Sequence, residues 1–183
     1  KNYEATQYAI QVAKDNGCLI SFDPNLRLSL WKTPEEARKR ILYGMKQCDI
    51  MKISEEEVAF VSEQESLEKG VSFIRDNSDI KILFVTLGNK GSIAYYKDEK
   101  IYCGGIHQEH VVDTTGAGDT FCGAVLSRIL ELGTDALTEK DIREMLLFAN
   151  AAASIVVTRK GALCSMPEPE EIRAASSLID KVL

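Results

Sequence analysis

A chain of 183 residues, 45% hydrophobic and 27% charged, has enough apolar material for one buried core, and the simplest expectation is a single domain over 1–183. Its net charge of −6 offers no electrostatic footprint for nucleic acid or an anionic membrane, and no apolar run reaches the length of a membrane span. The start, Lys1-Asn2-Tyr3-Glu4, lacks the apolar stretch of a secretory signal, so the expected location is the cytoplasm or an organelle interior, with the cytoplasm preferred.

Over 2–16 the apolar positions Ala5, Ala9, Val12 and Ala13 recur at helical spacing, predicting a surface helix that Gly17 stops. Residues 18–23 form a nearly continuous apolar run ended by Pro24, the pattern of a buried parallel strand. Thr33 as cap and Pro34 in the first turn open a helix with Ala37, Ile41, Leu42 and Met45 as its inner face. A strand over 49–53 follows, then a helix starting near Ser54, a second helix over 66–77 and a strand over 82–87. Beyond a turn at 88–91 the segments 92–96, 100–103 and 109–112 read as shorter, antiparallel strands. Helices over 117–132, 138–157 and 168–182 complete the chain.

Strands alternating with helices imply an α/β layered fold with a largely parallel central sheet flanked by helices. Ligands of such folds gather at the carboxyl ends of the strands, where Asp23, Ser54, Thr86 and Asp113 fall. There is no internal repeat, low-complexity segment or linker that would mark a second domain. The five cysteines (Cys18, Cys48, Cys103, Cys122, Cys164) are scattered and odd in number, so they are expected to be reduced and mostly buried. His107 and His110 have no metal-ligand spacing and read as surface or strand residues.

The most informative stretch is Asp113-Thr114-Thr115-Gly116-Ala117-Gly118-Asp119-Thr120-Phe121, in which a strand runs into a Gly-rich turn opening onto an apolar-periodic helix. A helix start presents unpaired N–H groups and a partial positive charge, and glycines let that backbone approach an anion closely. Asp119 lies on the same turn, where a carboxylate can take a proton from a hydroxyl while the amides hold developing negative charge. The competing interpretation is a tight turn with Asp119 as an ordinary helix-start acid. There is no Gly-Lys-Ser/Thr ending of a P-loop and no complete G-x-G-x-x-G.

The complete string closely resembles the C-terminal signature of the PfkB (ribokinase-like) family of sugar and nucleoside kinases. The resemblance implies a ribokinase-like fold in which Gly116, Ala117 and Gly118 form the anion hole and Asp119 is the catalytic base. It covers the chain as the C-terminal half of the family's usual length. It thus implies that the N-terminal di-glycine sugar-binding segments, the early strands of the sheet and the β-sheet lid lie outside these residues.

Other segments carry a reading of their own beside the one the resemblance adds. Thr86, Gly88 and Gly91 follow a buried strand and can meet a nucleotide's phosphates or ribose, or can simply make a turn. They resemble the family's T-x-G-x-x-G segment, which implies contact with ATP. Ser54-Glu55-Glu56-Glu57 reads as a capped helix start with acids in its first turn. It also occupies the place of the family's N-x-x-E motif, which implies that Glu57 organises Mg2+ and phosphate, with Ser54 standing where the family has Asn. Asp23, Asn25 and Arg27 suit a sugar, or a phosphate in the case of Arg27, or else form an Asx-type turn with a solvated Arg. Their D-P-N-x-R string resembles fructokinases and ketodeoxygluconate kinases, which favours a sugar over a nucleoside.

Asn150, polar among small apolar helix positions, reads as a core amide paired to backbone. The resemblance instead implies that its helix lies beside the adenine. It also implies a K+ site next to the anion hole, with Asp113, Thr115, Ser165 and backbone carbonyls near Val156 and Gly161 as ligands.

The implied activity is ATP-dependent phosphorylation of a sugar primary hydroxyl, fructokinase-like. ATP and a small-molecule sugar are the expected partners, Mg2+ and K+ the cofactors, and a homodimer is open for the complete protein. The alternatives are a truncated, non-catalytic nucleotide-binding or interaction module, and a nucleoside or ketodeoxygluconate kinase. The chain by itself is expected to be inactive and to self-associate through an exposed sheet edge.

Overall fold

The computed structural model describes residues 2–179, and between Val85 and Thr86 the chain divides into two compact units. Among the described residues no helix is long and apolar enough to cross a membrane.

The first unit opens with α1 (Asn2–Asp15), which buries none of its residues. Gly17, at φ +65, ends it, and the Cys18 N–H turns back to the Ala13 carbonyl at 2.9 Å. The expected buried strand over 18–23 is cut to β1 (Ser21–Phe22), paired in parallel with Ile50–Met51. Cys18 and Leu19 are exposed, the latter by 46%. The reason is position: β1 heads the strand order, so its outer side has no neighbouring strand among the described residues.

Thr33 Oγ1 accepts the Glu36 N–H and Pro34 begins α2 (Pro34–Met45), which buries Ala37, Ile41 and Met45 as expected and leaves Leu42 half-buried. Gly44 on α2 leaves room for the Phe22 ring, which would lie 2.6 Å from a Cβ at that position. β2 (Ile50–Ser54) feeds directly into α3 (Glu55–Ser62), and α4 (Leu67–Asp76) leads to β3 (Ile82–Thr86). The Lys81 and Ile82 N–H groups both donate to the Asp49 carbonyl, setting the starts of β2 and β3 side by side. Met45, Ile53, Val58, Ile74, Ile82 and Phe84 are buried to 1% exposure or less and form this unit's core.

In the second unit a 3-10 turn (Gly88–Lys90) enters an antiparallel hairpin, β4 (Gly91–Tyr96) and β5 (Glu99–Gly104), with Gly91 opposite Gly104 and Ser92 opposite Cys103. The expected strand over 109–112 does not form, and Val111 and Val112 are 58% and 59% exposed. Among the described residues no strand pairs with it; the Val112 and Asp113 N–H groups go instead to the Val157 carbonyl, at 2.8 and 3.3 Å. Asp113 therefore does not stand at a strand end, as the pattern suggests, but is tied to a helix terminus.

α5 (Ala117–Leu132) packs on α6 (Glu139–Val156), and Phe121, Val125 and Ile129 of the first and Ile142, Met145 and Leu146 of the second are buried. A Thr138–Asp141 capping box starts α6. The final helix, α7 (Pro169–Ile179), was expected to reach Val182; residues 180–182 lie outside those described.

Candidate active site

In the first unit the carboxyl ends of β1 and β2 bring Asp23, Lys52 and Glu57 together. Asp23 Oδ2 pairs with Lys52 Nζ at 3.1 Å, with the two side chains only 16% and 8% exposed. Its Oδ1 accepts the Asn25 N–H at 3.1 Å, closing an Asx turn in which Asn25 takes φ +43. Burial raises the Asp23 pKa above its ordinary value, the Lys52 charge and hydrogen bond oppose that rise, and the Glu57 carboxylate adds to it. Arg27, by contrast, is exposed and its guanidinium donates to the Leu26 carbonyl at 3.0 Å.

Glu57 forms the capping box with Ser54: Ser54 Oγ accepts the Glu57 N–H at 3.2 Å, and Glu57 Oε2 accepts the Ser54 N–H at 2.9 Å. Its Oε1 accepts the Leu26 N–H at 2.6 Å, so one buried acid fixes both the start of α3 and the loop carrying Asp23 and Asn25. Each oxygen keeps a lone pair, which fits a Mg2+ ion that retains most of its waters.

The second unit holds the helix-opening turn. Gly116 takes φ +84, a conformation that disfavours any side chain, and is buried with its Cα face toward Ala162, whose Cα would lie 3.4 Å from a Cβ there. The Ala117 N–H donates to the Thr114 carbonyl and the Thr120 N–H to the Gly116 carbonyl. The N–H groups of the first turn have no carbonyl four residues back inside the helix, which makes this end a seat for an anion. Asp119, in the same turn, is exposed to solvent.

Behind the turn, Asp113 Oδ1 accepts the Thr115 N–H at 2.9 Å and Oδ2 the Gly161 N–H at 3.4 Å. These bonds, first the Thr115 hydroxyl and then the two N–H groups, hold the Asp113 pKa below the ordinary carboxylate value. Ser165 Oγ, fully buried, lies 2.7 Å from both the Gly161 and the Ala162 carbonyl oxygens. Asp113, Thr115, Gly161 and Ser165 are thus brought together, while the Val156 carbonyl accepts the Arg159 N–H in the turn that follows α6. An all-oxygen donor set of this kind suits a hard monovalent cation.

The expected nucleotide residues split in two. Gly88, at φ +60, is exposed with open space where a Cβ would point, whereas at Gly91, φ +106, a Cβ would fall 2.2 Å from the Cys103 carbonyl oxygen. Thr86 ends β3 half-buried. Asn150 is 7% exposed and its amide is already engaged: Oδ1 accepts from Ser92 Oγ at 2.9 Å, and Nδ2 donates to the Cys103 and Gly104 carbonyls at 3.2 Å each.

Three residues escape the sequence reading. Lys52 is a charge inside an apolar strand, which is itself a signal. Ser92 has no sequence signal, because its partner lies 58 residues away. Thr120 Oγ1 is buried without a hydrogen-bond partner among the described residues. Of the cysteines Cys48 and Cys103 are buried, Cys122 is half-buried and Cys18 and Cys164 are exposed, so the expectation of mostly buried thiols does not hold. Both histidines are exposed.

The chain matches the pfkB family of carbohydrate kinases over residues 2–169. It is 42% identical over 166 residues to fructokinase-1 of Oryza sativa subsp. japonica, covering 90% of this chain and 50% of the relative. To fructokinase-2 of Solanum lycopersicum it is 39% identical over 163 residues, covering 89% of this chain and 49% of the relative. Among solved structures it is similar to the fructokinase of Vibrio cholerae O395 in its fructose, ADP and calcium ion bound form, with TM-score 0.84, 33% identity and coverage of 93% and 55%. A double mutant of that protein, in its fructose, ADP and potassium ion bound form, gives TM-score 0.85, 33% identity and coverage of 93% and 54%. The chain spans about half the length of these relatives. The likeness bears out the ribokinase-like layered fold with a largely parallel sheet flanked by helices. A match of this extent, over a chain whose helix-opening turn has the geometry described, shows that the protein belongs to the pfkB family of carbohydrate kinases.

Proposed function

We propose that this chain, residues 1–183, is the ATP-binding and catalytic portion of an ATP-dependent, fructokinase-like sugar kinase working in the cytoplasm, and carries its nucleotide site, anion hole and catalytic base. The observation that supports it most is the turn at Gly116, left-handed at φ +84 and backed by Ala162, which opens α5 and sets Asp119 in its first turn facing solvent. Asp119 takes the proton of a sugar primary hydroxyl as its oxygen bonds to the γ-phosphorus and the bond from that phosphorus to the ADP oxygen breaks. The backbone of Gly116, Ala117 and Gly118 holds the charge that develops on the transferring group.

Glu57 orients Mg2+ through water, and Mg2+ when bound supplies neutralisation of phosphate charge. Asp113, Thr115, Ser165 and the carbonyls near Val156 and Gly161 hold K+, which keeps the loop behind the anion hole in place. Thr86, Gly88, Gly91 and the helix of Asn150 receive the nucleotide, and Asp23, Asn25 and Arg27 face the sugar or its phosphate. The ligands seen in the Vibrio cholerae fructokinase, fructose and ADP with calcium or potassium ions, support this reading.

ADP release by the complete protein that contains this chain, with a panel of fructose, ribose, ketodeoxygluconate and adenosine, tests it. Fructose-dependent release that falls by roughly 10²-fold or more in Asp119→Ala is expected. Full activity in that variant sinks the assignment, and a preference for adenosine moves the substrate to nucleosides. The chain's span of about half its relatives favours a second reading, a non-catalytic nucleotide-binding module; nucleotide binding without sugar-dependent ADP release would select it.

A further inference from the structure

The side chain of Asn150 lies at the base of the hairpin and bonds to both of its strands, Ser92 on β4 and the Cys103 and Gly104 carbonyls on β5. In the ladder Ser92 faces Cys103 and Gly91 faces Gly104, so this amide staples the rung next to Gly91. The loop 87–91 hangs from the same rung. The Leu87 N–H donates to the Gly91 carbonyl at 2.8 Å, and the Gly105 N–H and Tyr102 hydroxyl donate to the Lys90 carbonyl at 3.1 and 2.7 Å. The packing leaves no slack: a Cβ on Gly91 would meet the Cys103 carbonyl oxygen, and one on Gly105 the Asn89 carbonyl oxygen, each at 2.2 Å.

We infer that the buried Ser92–Asn150 pair is a positioning device for the nucleotide loop, setting the path of Gly88–Gly91 by holding β5 against β4 and α6. The inference rests on the proposed nucleotide role of that loop. Ser92 is fully buried, so it acts through the backbone of the loop and touches no ligand. Its hydroxyl gives the Oδ1 of Asn150 a donor, and the amide group thereby aims its two N–H bonds at the paired carbonyls of β5. A network of this kind has a single satisfied arrangement, and losing one member leaves the others buried and unpaired.

The test compares wild type, Ser92→Ala, Asn150→Ala and the double variant by titration with ADP and with inosine diphosphate, and follows amide exchange at Leu87 and Gly105. Ser92→Ala is expected to remain folded, to weaken both nucleotides alike by roughly fivefold, and to speed exchange at both amides. The double variant should be no weaker than Asn150→Ala. Two results overturn the inference: unchanged affinity and exchange in folded Ser92→Ala, or a loss confined to Asn150→Ala and to the adenine nucleotide, which would make Asn150 a direct reader of the base. Wild-type protein that binds neither nucleotide refutes the kinase reading instead, and the exchange data then decide the positioning role on their own.

Discussion

Asp23→Asn removes the counter-charge of a lysine with almost no access to water. At 3.1 Å the Asp23–Lys52 attraction is about 5 kcal/mol for an effective dielectric constant near 20. Most of that is offset by the cost of taking both groups out of water, with side chains only 16% and 8% exposed. The Asn variant keeps the oxygen that accepts the Asn25 N–H, so the turn survives while Lys52 is left buried and unpaired. A loss of about 3 kcal/mol or more is expected. Asp23→Asn combined with Lys52→Met replaces the pair by neutral groups of similar volume and should lie within about 1 kcal/mol of wild type. With Lys52→Met also destabilising, the coupling energy between the two positions is then at least about 2 kcal/mol in magnitude.

Urea unfolding at pH 7 with matched m-values measures all four corners of the cycle. If Asp23→Asn costs less than about 0.5 kcal/mol, Lys52 does not depend on its partner and the buried-pair argument fails.

At Asp113 the pKa lies below 3.8 because of the Thr115 and Gly161 bonds. Its contribution is present above that value and lost as pH falls through the depressed pKa, and Asp113→Asn should remove that part of the acid limb in an equilibrium unfolding series. Thiol labelling of native protein should modify Cys18 and Cys164 first. Burial pushes the Cys48 thiol up to about 12 and raises that of Cys103, so both should react only on unfolding; early labelling of Cys48, read by peptide mass, would contradict the packing of α2.

Local signals carried much of the architecture. Thr33-Pro34 starts α2, Ser54 with Glu57 starts α3, and Gly116 with Gly133 brackets α5, because a cap or a left-handed glycine acts within one turn of its own position. The Gly-Ala-Gly-Asp turn was legible for the same reason, since both the helix start and its acid are contiguous in the chain. Where the pattern failed, the missing information was the neighbour. An apolar run such as 18–23 or 109–112 becomes a strand only as far as another strand lies beside it, and β1 stands at an edge while 109–112 meets the end of α6.

Composition and periodicity by themselves thus determined the class of fold, the order of its elements and the turn that opens α5, all properties of residues close in sequence. Only the tertiary structure decided that Lys52 is the partner of Asp23, 29 residues away, that Glu57 holds the Leu26 amide across 31, and that Asn150 is bound to Ser92 across 58. Those pairings depend on which side chains lose access to water together, and that is settled by packing between elements rather than by any pattern within one.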